Sequence, residues 1–150
     1  MKNELPWKHI VLADYDEDDC LFFREAVSQC LPSVKLTIEN FSADFLKSAD
    51  FRTTEPIDAV FLEINFPAGW NCLENMVLRP PKGTPAFIIF TTSDTFADID
   101  KAYRLGASMY ISKSSSIAGL SRQIAAARKT ILSHRPEQPP RDVFYLSQNL

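Results

Sequence analysis

A continuous apolar run that ends on a carboxylate constrains this chain more than any other feature. Residues 57–67 read Ile-Asp-Ala-Val-Phe-Leu-Glu-Ile-Asn-Phe-Pro. The run Ala59, Val60, Phe61, Leu62 has no polar alternation. That suits a strand buried on both faces, as in a parallel sheet with helices on either side. It stops at Glu63. In open α/β sheets ligands bind just beyond the carboxyl ends of strands, so Glu63 is a site candidate by position alone. Pro67 and Gly69 then end the strand and begin a turn.

The rest of the chain repeats the pattern. Residues 9–13 are short and apolar and lead into Asp14-Tyr-Asp-Glu-Asp-Asp19. Asp16 or Asp18 can cap the following helix, whose positive end favours acids. Phe22/Phe23, Ala26/Val27 and Cys30/Leu31 recur at helical spacing until Pro32. Val34, Leu36 and Ile38 alternate with polar residues, the mark of an edge strand. Ser42 can cap a short helix carrying Phe45, Leu46 and Ala49. Leu73, Met76 and Val77 give another helix, ended by Pro80 and Pro81. Residues 86–90 form a further apolar strand ending on Thr91-Thr92-Ser93. Ser93 or Asp94 is the expected cap of a helix that turns Phe96, Ile99 and Tyr103 inward and closes at Gly106. Residues 108–111 are the fifth strand, followed by Lys113, and Ile117, Leu120, Ile124 and Ile131 mark a long last helix. The tail, 135–150, holds three prolines and one apolar cluster at 143–146.

Strand and helix thus alternate five times, which implies one α/β domain with a parallel sheet covered on both faces. Right-handed crossovers gather the strand ends on one rim. Asp14, Glu63, Thr91 and Lys113 meet there, one from each of four strands. Two carboxylates, a hydroxyl and an ammonium suit a divalent cation and a phosphoryl group. A net charge of −3 offers no basic surface for nucleic acid. No apolar run is long enough to span a membrane. Residues 1–9 lack the apolar centre of a signal peptide. Cys20, Cys30 and Cys72 have no metal-like spacing and read as buried thiols, so a cytoplasmic setting is expected.

Residues 8–132 resemble the receiver domain of two-component response regulators, the CheY type. The resemblance implies a flavodoxin-like (βα)5 fold with strand order 2-1-3-4-5, a receiver domain over 1–134 and a tail over 135–150. In that family an acidic pair ends the first strand, and an aspartate ending the third accepts a phosphoryl group from a histidine kinase. A threonine or serine ends the fourth strand and a lysine ends the fifth. Asp14 matches the first acid, Thr91 the hydroxyl and Lys113 the lysine. Tyr110 matches an aromatic that switches rotamer on activation. Mg²⁺ is the cofactor implied, with Asp14, Glu63 and the backbone of Asn65 as candidate ligands and Pro67 in the same loop. Tyr103, Tyr110 and the last helix would form the interaction face, Tyr103 otherwise packing between helix and sheet. The implied partner is a histidine kinase or other signalling protein, a homodimer being compatible with this, and no enzyme activity is implied.

Four positions depart from the family pattern. Glu63 stands in the place of the acceptor aspartate, Tyr15 in that of the second acid, Ser114 in that of a proline, and Asn71 near that of a glycine. One added methylene displaces the Glu63 carboxylate on the scale to which in-line attack is sensitive. Tyr15 removes a charge from the metal site, since a phenol stays neutral at pH 7. The expected function is therefore a stand-alone pseudo-receiver that acts through protein contacts without phosphorylation. Glu63 would either mimic a phosphoryl group, bonding Thr91 and Lys113, or be a lysine-paired carboxylate in a silent site. One alternative is a receiver still phosphorylated at a carboxylate of the rim, Asp16 or Glu63. Another is a small Mg²⁺-dependent phosphatase of haloacid-dehalogenase type, suggested by Asp14-Tyr-Asp16, although no later acidic motif follows Lys113. The cluster at 143–146 reads either as a docking peptide for this chain or a partner, or as a frayed tail.

Overall fold

The computed structural model describes residues 6–39, 55–65 and 69–149. Among them, β1 His9–Ala13, β2 Lys35–Glu39, β3 Ala59–Leu62, β4 Ala86–Thr91, β5 Met109–Ser112 and β6 Tyr145–Leu146 form one sheet in the order β2-β1-β3-β4-β5-β6. Every pairing is parallel. Helices α1 Glu17–Cys30, α2 Gly69–Leu78, α3 Phe96–Arg104 and α4 Ile117–His134 separate the strands, and a single turn, α5 Arg141–Phe144, precedes β6.

Alternate strand residues point to opposite faces. Leu12, Phe61, Phe90 and Ile111 pack beneath α1 and α4, while Val11, Val60, Leu62 and Ile89 pack with α2 and α3. Helix α1 buries Cys20, Phe23, Ala26 and Val27, one stripe at helical spacing. The Phe23 ring meets Phe61 edge-on at 4.9 Å and Phe90 at 5.2 Å. Full burial of a side chain of this size contributes about 1.5–3 kcal/mol. Trp7 is buried at the lower end of the same face, perpendicular to Phe61 at 6.1 Å.

Three expectations are corrected. The sheet has six strands rather than five, because the tail adds β6 alongside β5. A two-residue strand is too short to show a period of two, so its one sign in the sequence is the apolar cluster at 143–146, which docks on this chain's own β5 edge rather than fraying. The N-cap of α3 is Thr95, whose hydroxyl accepts from the Asp98 amide, rather than Ser93 or Asp94. Ser93 instead donates its hydroxyl to Asp98 Oδ2 at 2.7 Å. With the helix starting later, Phe96 falls on the outside and is 79% exposed, and Ala102 is the buried residue of α3. Gly106 closes α3 at φ +98°, a conformation that favours glycine. The helix expected around Ser42, Phe45, Leu46 and Ala49, and Pro67, lie outside the described residues.

Candidate functional site

One further step of the sheet's hydrogen bonding places the site residues just past their strands. The Glu63 amide donates to the Ala13 carbonyl at 2.9 Å, and the Lys113 amide to the Thr91 carbonyl at 2.7 Å. Asp14 follows β1 in the same way, its amide donating to the Glu39 carbonyl. Asp14, Glu63, Thr91 and Lys113 are all buried at this rim. Of the four residues expected from four separate strands, Asp14, Glu63 and Lys113 are joined by side-chain contacts, and Thr91 shares the rim without touching them by a hydrogen bond.

Lys113 is the hub. Its Nζ donates to Asp14 Oδ2 at 2.9 Å, Asp19 Oδ2 at 2.7 Å and Glu63 Oε1 at 3.0 Å. The ammonium also lies 4.9 Å from the centre of the Phe90 ring. Burial works against its charge, but Glu63 and Asp14, followed by hydrogen bonds to Asp14 and Asp19, outweigh burial and raise the Lys113 pKa. Asp14 responds in the opposite sense. Burial raises its carboxyl above the ordinary 3.8, with the neighbouring Glu63 charge adding, and the attraction of Lys113 offsets this in part. One cation among three carboxylates leaves the ionised cluster with excess negative charge, and that settles its preference. It disfavours an unaccompanied phosphoryl anion and favours a cation.

Asp19 was not anticipated. Asp16, offered above as a cap or an alternative acceptor, caps α1, accepting from the Asp19 amide at 3.0 Å. An acid three residues after an N-cap ordinarily reaches back to the cap's own amide. Here that amide donates to Asp14 Oδ1 at 3.0 Å. The Asp19 carboxylate instead turns to Lys113. The available signal was the acidic string 14–19 read together with its cap: once Asp16 is the cap, Asp19 lies in the first helical turn, above the strand end.

The Asp14, Asp19 and Glu63 oxygens lie within 4.8 Å of one another. This all-oxygen donor set fits a hard divalent cation such as Mg²⁺. Asn65, expected as a backbone ligand, is committed elsewhere. Its amide donates to Glu63 Oε2 at 3.1 Å, and its carbonyl accepts from Tyr15 Oη at 3.2 Å. The phenol that replaces the second acid thus sits on the carbonyl the resemblance assigned to the metal.

Thr91 stands apart. Its hydroxyl is buried and has no hydrogen-bond partner among the described residues. Of the two contacts expected of a phosphoryl mimic, Glu63 makes the one to Lys113 and none is found to Thr91. Beside Thr91 opens a cleft of about 400 Å³ lined also by Asn65, Trp70, Thr92, Ser93 and Asp98. Lys101 Nζ lies 4.5 Å over the Trp70 ring.

Tyr110 is fully buried, and its hydroxyl donates to the Ser93 carbonyl at 3.0 Å. Burial, followed in the opposite sense by that hydrogen bond, leaves its phenol pushed up to about 12. Tyr103 is half-buried. Its ring packs on Phe144 of the tail at 4.8 Å, and its hydroxyl donates to the Pro139 carbonyl at 3.2 Å. The two tyrosines expected on an open interaction face are covered, because the chain's own tail lies over them.

No family model matches the sequence, and no curated protein matches it. Solved structures do match by fold. The phosphorylated cyanobacterial phytochrome response regulator RcpA superposes with a TM-score of 0.69 at 19% identity, over 85% of this chain and 96% of that one. The Mn²⁺-bound form of response regulator Rcp1 gives 0.66 at 19% identity, over 89% and 99%. A response regulator from Thermotoga maritima gives 0.66 at 15% identity, over 86% and 100%. The chain has the fold of response-regulator receiver domains of the CheY type.

Proposed function

We propose that this chain is a stand-alone receiver-type signalling protein that acts by contact with a histidine kinase or another signalling protein and takes no phosphoryl group itself. The observation that carries this reading is the engagement of Glu63 at the acceptor position. Its carboxylate is held by the Lys113 ammonium and the Asn65 amide, 5% exposed at the strand end. In the receivers that this chain resembles, the lysine and the hydroxyl grip the phosphoryl group. Here the lysine is committed to three carboxylates, and the Thr91 hydroxyl is buried with no partner among the described residues.

Asp14, Asp19 and Glu63 would hold Mg²⁺, which would neutralise their excess charge. The phosphatase alternative is disfavoured by Asp16, the second acid of that motif, because its carboxylate is used in capping α1. Three free thiols, Cys20, Cys30 and Cys72, fit a reducing cytoplasm. The test is intact mass after incubation with acetyl phosphate and Mg²⁺. Unmodified protein is expected, and a phosphoryl adduct on the wild type overturns the reading.

A further inference from the structure

Lys113 lies between β5 and α4, and its main chain must be fixed before its ammonium can reach three carboxylates. Its amide donates to the Thr91 carbonyl at 2.7 Å. A second hold comes from Gln123, in the second turn of α4 and 0% exposed. Gln123 Nε2 donates to the Ser112 carbonyl at 2.7 Å, and its Oε1 accepts from the Ser114 amide at 3.1 Å. One side-chain amide thus grips the residues immediately before and after Lys113.

The orientation of that amide is fixed chemically. Nε2 also donates to the Ser147 carbonyl at 2.8 Å, so both of its hydrogens meet carbonyls. Turned over, Oε1 would face two carbonyls and Nε2 would face an N–H. Gln123 sits in the buried stripe of α4 with Leu120, Ile124 and Ala127. Burying a polar side chain there costs stability unless its hydrogen bonds are made. Packing alone would be served as well by an apolar residue.

Ser114 supplies the reason for a polar one. It stands where the family pattern has a proline, and a proline has no amide hydrogen to satisfy. Serine brings that hydrogen back into a half-buried turn, where it needs an acceptor. Gln123 provides the acceptor and, with the other end of the same amide, ties down Ser112.

We infer that Gln123 is the positioning residue for Lys113. By clamping Ser112 and Ser114 it does the work of the missing proline and aims the ammonium at Asp14, Asp19 and Glu63. The tail is a fixed part of the same clamp, through the Ser147 carbonyl. The inference deepens the function proposed above and rests on it for the importance of the contact between Lys113 and Glu63.

The experiment follows the Lys113 ammonium itself by NMR in full-length protein labelled with ¹⁵N-lysine. A buried ammonium with three acceptors is protected from exchange and gives a resolved signal, which exposed lysines do not. Its absence in Lys113→Arg assigns it. Gln123→Met keeps the length of the side chain and removes the clamp, and is expected to lose or shift the signal. Ile131→Ala, buried two turns further along α4, should lower the unfolding midpoint and leave the signal in place. In the Glu63→Asp background, adding Gln123→Met should slow phosphoryl gain from acetyl phosphate at least about tenfold, since small misplacements are costly in such reactions. Adding Ile131→Ala should not. An unmoved ammonium signal in folded Gln123→Met overturns the inference, as does an equal loss in Ile131→Ala. Where Gln123→Met does not fold, Gln123→Glu decides, because it keeps the acceptor for Ser114 and lacks both donors; an unmoved signal there also overturns the inference. A phosphoryl adduct on the wild type would overturn the proposed function and leave the result for Gln123, read from the ammonium, standing.

Discussion

Lys113 Nζ lies 2.7 Å from Asp19 Oδ2, so the first turn of α1 supplies an acid that Tyr15, at the end of β1, does not. The cluster keeps three carboxylates around one ammonium by a route that skips the usual position. Its energetics and its response to pH follow from that count.

Replacing Lys113 by methionine would strand Asp14 and Glu63 as buried carboxylates without their cation. Removing one partner of a buried ion pair typically costs about 3–5 kcal/mol. Urea unfolding at pH 7 should show a loss of that order, seen as a lower midpoint at unchanged slope. A loss below about 1 kcal/mol, typical of an exposed pair, would contradict the burial described here.

Asp14→Asn tests the sign of the Asp14 shift. Its folded pKa is raised from 3.8, by burial first. A raised carboxyl contributes stability that is full below its unfolded value and is lost as pH rises through its folded value. At neutral pH the ionised group therefore costs stability, and the neutral amide avoids that cost. Asp14→Asn is expected to unfold at higher urea than wild type at pH 7, with the gap closing as pH falls through the folded pKa of Asp14. A variant less stable than wild type at pH 7 would show that the pull of Lys113 outweighs burial.

Thr91→Val keeps the shape and removes a buried hydroxyl that has no partner among the described residues. Leaving such a group unsatisfied costs about 1–3 kcal/mol. The variant should gain roughly 1 kcal/mol, or about 2–4 °C in Tm for a chain of this size. A fall in Tm would mean that the hydroxyl is satisfied after all.

Much of this was legible because buried parallel strands announce themselves. The uninterrupted runs at 59–62 and 86–90 have no polar face, and each ends on a residue of the rim. The alternation of strands and helices then fixes where those ends gather. Asp19 was not legible from composition, since any acid of the 14–19 string could cap α1. Its role emerges from which amide each carboxylate accepts, Asp14 taking that of Asp16 and Asp16 that of Asp19. The α3 cap was misplaced because Ser93, Asp94 and Thr95 are all good caps, and Tyr110 and Ser112 compete for the Ser93 backbone. The docked tail left no periodic signal, being held by one buried aromatic, a two-residue ladder, the Arg141–Asp100 ion pair and side-chain hydrogen bonds to carbonyls.

On the proposed function, Glu63, tied to Lys113, is what separates this rim from one that accepts a phosphoryl group. The most direct test is intact mass of wild type and Glu63→Asp, side by side, after acetyl phosphate and Mg²⁺. With Asp19 completing the acidic cluster, Glu63→Asp is expected to gain one phosphoryl group and the wild type none. A phosphoryl group on the wild type, or on neither protein, would contradict the account.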